Sequence, residues 1–381
     1  MLLVPRYGQS SLSDLVPAVL AHLGVPGESD PIGLDLAGVT RVCVLLVDGL
    51  GAEQLAARSE AAPFLSGLAG RTLTAGFPTT TSTSLSSLGT GRPSGQHALT
   101  GYLIAVPGQD RPMNPLKWRL HGPGPRVDLL HELVPEQFQP NPTAFERAAA
   151  DGIAVTRVCP PYQYESGLTR AVLRGGTFRP SFSMGDLVDG ATTALAEGDR
   201  SLVYAYHGEL DLTGHARGVE SPAWALELAQ VDLLARQLAE RLPPDSALIV
   251  TADHGMVDVH SPVDLDAEPG LSLGVRMIGG EPRARHVYTE PGAAAGVQDR
   301  WSARLGPDYA VLSRAEAIDA GWFGPVVTAA AEVGIGDVIA VPLGAGALIR
   351  RGAEPRQSMM VGHHGSLTSA ELNVPLLVCR H

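Results

Sequence analysis

Cysteine is scarce: Cys43, Cys159 and Cys379 are the three in 381 residues, widely spaced and set among apolar neighbours. An odd, sparse count with no CxxC pair argues against a disulfide framework or a sulfur-ligated zinc, and fits buried thiols in a reducing compartment. Positive charge is also short, with 28 Lys and Arg against 40 Asp and Glu and a formal charge of −12. That deficit argues against nucleic-acid polymers and anionic membranes as partners, because both call for a basic surface. No apolar run reaches the roughly 18 residues of a spanning helix. The opening MLLVPRYGQSSLSDLVPAVLAHLGVPG lacks the basic start and long apolar stretch of a secretory leader. The expectation is a cytoplasmic protein, without internal repeats or a low-complexity tail, and with no feature that specifies an oligomeric state.

What is present is ordinary globular material, 44% apolar and 18% charged. Ser13 to Leu23 reads as a short helix on the surface of the fold. RVCVLLVDGLG, residues 41–51, reads as a nearly continuous apolar strand of the kind buried in the middle of a parallel sheet, ending in Asp48. Residues 143–158 read as helix, glycine stop and strand, and Ala223 to Arg241 as the strongest helix of the chain. Leu202 to Tyr206 and SALIVTADHG (246–255) are two further apolar strands that end in polar, acidic sequence. The Pro- and Gly-rich stretch Leu103 to Pro142, with Asn114 and Trp118, reads as an excursion over the active-site face and not as core. Residues 271–351 turn to short strands with one or two helices.

The chemistry is concentrated in FPTTTSTSLSSLGTG, residues 77–91. Proline disfavours helix at the residue before it, so the extended piece ends at Phe77-Pro78. Thr79, Thr80, Thr81 and Ser82 then present hydroxyls at a helix start, where free backbone N–H groups favour an anion such as phosphate. Ser84 to Leu88 would be helical, stopping at Gly89 and Gly91. Such a turn is either an N-cap with hydroxyls to spare or a nucleophile, and a hydroxyl nucleophile needs a base or a metal to activate it.

Candidates for that activation recur where apolar runs stop: Asp48, Asp211 with His215, Asp253 with His254, and His363-His364. Asp211 and His215 lie four apart, on one face of a helical turn. Adjacent Asp253 and His254 converge on one ion only if the chain leaves the strand there, as Gly255 would permit. An isolated pair of this kind is commonly a surface ion pair; strand ends of a doubly wound sheet, however, share one edge. Carboxylates and imidazoles without thiolate suit two divalent ions, zinc foremost and manganese as the alternative, and two metals about 4 Å apart clamp an in-line displacement at phosphorus.

Taken in order, VDGLG, FPTTTSTSLSSLGTG, DLTGH, TADHGM and GHHGS resemble the alkaline phosphatase superfamily, and most closely its nucleotide pyrophosphatase/phosphodiesterase branch, over residues 41–378. The resemblance implies an α/β, alkaline-phosphatase-like, doubly wound and mostly parallel sheet with helices on both faces. It goes with a core of residues 1–270 and 352–381 and a small α+β cap insertion at 271–351. It implies Thr81 as nucleophile, with Thr81, Asp48, Asp253 and His254 around one metal and Asp211, His215 and His364 around the other. His363 would then serve a supporting role. The implied activity is hydrolysis of a small-molecule phosphodiester, pyrophosphate or nucleotide through a phosphothreonine intermediate. A phosphomonoesterase of the same superfamily is the nearest rival, and a metal-holding scaffold without turnover is another. Three positions depart from the family pattern: Thr80 replaces a common Lys, Ser84 a common Asn, and Tyr102 an Asn that binds a phosphate oxygen in many members. Tyr102 could donate in its place, and Tyr162 or Tyr164 could stack on a nucleobase.

Overall fold

Arg41–Val47 is the strand from which the main sheet is laid out in the computed structural model, which describes residues 3–381. From Val42 onward it is fully buried, as an apolar strand covered on both faces should be. The seven-stranded sheet has the order 69–74, 373–380, 246–251, 41–47, 201–207, 154–159, 177–180. The last five of these run parallel, and Asn373–Arg380 runs antiparallel to both of its neighbours. Helices flank the sheet, with Met184–Leu195 and Pro222–Ala239 packed as one pair and Leu12–His22, Thr81–Thr90 and Ala144–Ala150 as another group. This is the doubly wound architecture that the sequence motifs imply.

Register decides where the site falls. Arg41 pairs with Ser201 on one side and Ser246 on the other, and the pairing stays in step up to Val47–His207 and Leu46–Thr251. Three strands therefore end on the same rung, so Asp48, the turn after His207 and the segment after Thr251 open at one edge of the sheet. Ligand sites of open α/β sheets form at this C-terminal edge.

Two expectations are corrected by burial. Leu12–His22 is not a surface helix: Leu12, Leu15, Val16, Val19 and Leu20 are fully buried in the main core. Its apolar residues recur around most of the helix circumference, which is the pattern of an interior helix. Likewise the 103–142 stretch is not merely an excursion. Ile104, Met113, Trp118 and Leu129 belong to the main core, and the Trp118 indole N–H donates to the Leu133 carbonyl at 2.7 Å. Its Pro and Gly residues shape turns between core-facing anchors.

A second, four-stranded antiparallel sheet is built from Val275–Glu281, Ala284–Thr289, Tyr309–Ser313 and Val338–Pro342. Alternation along the last of these explains its packing. Ile339 and Val341 face the main core, whereas Val338 and Ala340 join Trp301 and Val297 of the helix Ala294–Leu305 in a smaller core. The two sheets are locked together at Arg283, whose guanidinium makes a two-pronged ion pair with Glu371 at 2.6 and 2.7 Å, both side chains fully buried. Glu371 also accepts from the Ser366 N–H at 3.0 Å, and its carbonyl accepts from the Gly255 N–H at 2.8 Å.

Truncating one partner of a buried ion pair strands the other charge, at a cost of about 3–5 kcal/mol. Glu371→Ala should therefore lower the free energy of urea unfolding by that order. A loss under about 1 kcal/mol would show that the pair carries no such weight.

Candidate metal centre and active site

The structure brings all seven residues expected around the metals to one edge of the sheet. Asp48 follows the strand 41–47. Asp211 and His215 lie on the helix Glu209–Arg217, which follows the strand 201–207. Asp253 and His254 follow the strand 246–251, and His364 follows the short pairing of Gly362-His363 with Val257-Asp258. Two triads result, one of Asp48, Asp253 and His254 and one of Asp211, His215 and His364, with donor atoms within 4.8 Å of each other in each triad. The triads touch: the rings of His254 and His364 stack at 3.6 Å, and His364 Nε2 is 3.3 Å from His215 Nε2.

Close backbone approach makes this convergence possible. Gly49 has φ +76°, and a Cβ there would meet the Cα and Cβ of Asp211 at 3.0 Å. Gly255 serves through space and not through an unusual φ. A Cβ there would lie 2.0 Å from the Ala370 carbonyl oxygen and 2.9 Å from Gly51 Cα.

Thr81 opens the helix Thr81–Thr90 and sits at the mouth of the first triad, with its Oγ1 3.2 Å from His254 Nε2. The helix begins earlier than the sequence pattern indicates and runs through Gly89, because Thr80 in extended conformation already serves as its N-cap. Thr79 fastens this turn to His364. Its hydroxyl donates to the Ser366 carbonyl at 2.8 Å and accepts from the Gly365 N–H at 3.0 Å, while its carbonyl meets His364 Nδ1 at 2.7 Å.

The donor set fits divalent cations. His215, His254 and His364 each place Nδ1 at 2.7–3.0 Å from a backbone carbonyl, of Gly362, Gly255 and Thr79 respectively. A carbonyl only accepts, so Nδ1 carries the proton and Nε2 turns a lone pair into the site. Those lone pairs face carboxylate oxygens: His254 Nε2 is 3.5 Å from Asp48 Oδ1 and 3.3 Å from Asp253 Oδ2, and His215 Nε2 is 3.4 Å from Asp211 Oδ2. Asp48 Oδ1, Asp211 Oδ1 and Asp253 Oδ2 are buried with no hydrogen-bond partner. Acceptors packed against acceptors are reconciled by a shared cation or by protons. Burial, then the charges of Asp253 and Asp211, hold the Asp48 carboxyl well above its usual range, and burial raises Asp253 as well. Burial and neighbouring His254 and His215 hold His364 well below its usual range.

Other expected residues fall differently. Tyr162 lines a cleft of about 400 Å³ above Asp48 and Thr81, together with Leu85, Leu116 and Leu212. Tyr164 does not line it; the ring packs on Phe178 at 5.1 Å. Tyr102 does not reach the cleft either, because it lines a separate pocket with Asn114. His363 is buried behind the centre with its ring 6.0 Å from that of His215.

Sequence reasoning missed two supports. The Tyr206 hydroxyl donates to Asp48 Oδ2 at 2.5 Å. Its signal was the register, which pairs Leu46 with Tyr206 at the end of the ladder. Glu281 lies buried behind the Thr-rich turn and accepts from the Tyr102 N–H at 2.9 Å, with the Thr80 hydroxyl also beside it. Burial pushes its carboxyl up to about 8. No local motif marks Glu281, because it arrives from the second sheet.

The model of the family described as type I phosphodiesterase / nucleotide pyrophosphatase matches residues 42–367. The fold is similar to murine ectonucleotide pyrophosphatase / phosphodiesterase 5, with TM-score 0.67 and 17% identity over 88% of this chain and 87% of that one. It is also similar to phosphonoacetate hydrolase from Sinorhizobium meliloti 1021, with TM-score 0.66 and 19% identity over 90% of each chain. A local match to the catalytic subunit of human GPI ethanolamine phosphate transferase 3 is 35% identical over 86 residues, which is 21% of this chain and 8% of that protein.

Cation binding should register as a pH-dependent gain in stability. In the cation-free fold, Asp48 and Asp253 have carboxyl pKa values above those of the unfolded chain, so their stabilising contribution is present at low pH and lost as pH rises. A cation offsets that loss. Adding Zn²⁺ to chelator-treated protein is therefore expected to raise the melting temperature by several degrees, on the order of 5 °C, at pH 8 and by progressively less toward pH 5.5. A shift that is absent, or that grows on acidification, would contradict the assignment.

Proposed function

The chain belongs to the type I phosphodiesterase / nucleotide pyrophosphatase family, and from that premise we propose that it hydrolyses small-molecule phosphodiester or pyrophosphate bonds through a phosphothreonine at Thr81. The observation that carries this reading is the Thr81 hydroxyl at the head of a helix, 3.2 Å from His254 Nε2 and beside two triads whose lone pairs converge. Two divalent ions, zinc by the mixed nitrogen and oxygen donors with manganese as the alternative, would be held by Asp48, Asp253, His254 and Thr81 and by Asp211, His215 and His364. When bound they supply positive charge that acidifies the Thr81 hydroxyl and neutralises phosphoryl oxygens.

The chain's own residues do the rest. Thr81 Oγ1, its proton released to water, forms the new bond to phosphorus as the bond to the leaving oxygen breaks, and the leaving group takes a proton back from water. Water then cleaves the phosphothreonine and restores the hydroxyl. Free N–H groups in the first turn of the helix face the phosphoryl oxygens and stabilise their charge without reorganising. Thr79 keeps the turn and His364 in fixed relation through its three hydrogen bonds. Tyr206 holds Asp48.

The cleft favours a diester over a monoester. It is lined by Tyr162 and Leu212, 73% and 66% exposed, and by Leu116. Exposed apolar side chains gathered at a polar site mark room for a second, uncharged substrate group. A nucleoside fits that description. The murine neighbour has also been solved as an inactive Thr-to-Ala variant in complex with AMP, which is consistent with both the nucleophile and a nucleotide ligand here.

Thr81→Ala should lower kcat for a nitrophenyl phosphodiester by about a thousandfold or more, since the covalent route is removed. The wild type should cleave that diester faster than nitrophenyl phosphate. Full activity in Thr81→Ala would remove the nucleophile, and a faster monoester would assign the chain to the phosphomonoesterases.

A further inference from the structure

A second pocket, about 250 Å³ in volume, lies beside the cleft and is lined by Tyr102, Asn114, Lys117, Arg119, His121, Arg356 and Gln357, with one carboxylate, Glu354, in its wall. Its charge is out of character for this chain. Arginines elsewhere are mostly tied to carboxylates or carbonyls, as Arg283 is to Glu371, Arg314 to Asp337 and Arg41 to the Leu195 carbonyl. Lys117, Arg119 and Arg356, with Arg126 close by, have neither an acidic partner nor a hydrogen-bond acceptor among the described residues. Lys117 is the one lysine of the sequence. Partial burial and the like charges of Arg119, Arg356 and Arg126 hold its ammonium below the usual range. Two polar atoms at the pocket, His121 Nε2 and Gln357 Oε1, are buried without a partner. Glu354 in the pocket wall is already held by Arg285 and Arg350, so the three cations have no carboxylate of their own and stay open to an anion from solution.

The pocket is connected to the reaction centre through its two walls. One wall is the hairpin of Met113–Asn114 and Arg119–Leu120. Leu116, within it, lines the Thr81 cleft, and the next residue, Lys117, lines the pocket. The other wall carries Arg356 and continues through Val361, whose N–H donates to the His215 carbonyl at 2.8 Å, into His363-His364. A substrate anchored over Thr81 thus has a basic concavity across one hairpin from the reacting phosphorus.

We propose that this pocket binds a second oxyanion of the substrate, a phosphate or carboxylate on the arm that does not react. The substrate would then be a diester or pyrophosphate with a remote anionic group. This deepens the phosphodiesterase reading and rests on it. Arg119 and Arg356 would grip the oxyanion through charge-assisted hydrogen bonds, with Lys117 as a mobile point charge and the Tyr102 hydroxyl as a neutral donor. Tyr102 thereby gains a role away from the reacting phosphate. The same positive field would draw an anionic substrate toward an otherwise repelling surface.

The test uses the metal-loaded protein and the triple variant Lys117→Ala, Arg119→Ala, Arg356→Ala, which removes no ion pair. For diesters whose unreactive arm ends in phosphate or carboxylate, KM should rise about tenfold or more with kcat retained. KM for bis(4-nitrophenyl) phosphate should stay within about twofold. Equal effects on both substrates, or none, would overturn the proposal. If added inorganic phosphate alters kcat for bis(4-nitrophenyl) phosphate in the wild type and not in the variant, the pocket serves a free anion and the substrate assignment falls. Calorimetric titration with inorganic phosphate gives a readout that needs no turnover: the wild type should take up one equivalent more than the variant. That difference would keep the pocket even if no ester were hydrolysed, and its absence would remove the pocket even if the diesterase reading held.

Discussion

Six acceptors crowded at the sheet edge, with no donor among them, form the constraint on which the rest of the structure depends. Three imidazoles are pinned at Nδ1 by backbone carbonyls, so that their Nε2 lone pairs point at three carboxylates. Left to themselves these groups repel one another. Held together they concentrate negative potential of the kind that divalent cations neutralise. Burial sharpens the effect, since Asp253 and His254 are fully shielded and cannot relax into solvent.

Such an arrangement is costly to fold, and much of the surrounding architecture serves to hold it. The step-for-step register of three parallel strands fixes the heights of Asp48, Asp211 and Asp253. Gly49 and Gly255 let backbones approach where any Cβ would collide. Thr79 staples the Thr81 turn to His364, and Glu371 ties the segments of Gly255 and Ser366 to the second sheet through Arg283. A change in that sheet therefore reaches the centre through hydrogen bonds and not through vague proximity. Glu281 makes the same link from the other side, behind Thr80.

The candidate ligands were legible because chemistry and topology leave local marks: an apolar run that stops at an acid, a DxxxH spaced for one helix face, a hydroxyl-rich turn after Phe77-Pro78. The supports were not. Tyr206 and Glu281 act across the ladder and across sheets, and nothing adjacent to them in sequence reports a partner more than seventy positions away. The helix at 12–22 misled for a related reason: its few polar residues suggested a solvent face, whereas they are satisfied by internal hydrogen bonds. There Ser11, Ser13 and Asp14 satisfy each other within the core. In the 103–142 stretch, abundant Pro and Gly obscured anchors such as Trp118, because composition reports turn density and not what the turns present. Tyr164 and Tyr102 carry the same lesson, since the kind of side chain says what it could bind but only the fold says where it points.

The phosphodiesterase reading depends on a bimetallic centre, and the most direct test is elemental analysis of the purified chain after saturation with zinc and removal of free ion. Two zinc ions per chain are expected, with about one remaining in Asp48→Asn/His254→Ala and about one in Asp211→Asn/His364→Ala. A wild-type content below one, or variants that retain the wild-type amount, would contradict it.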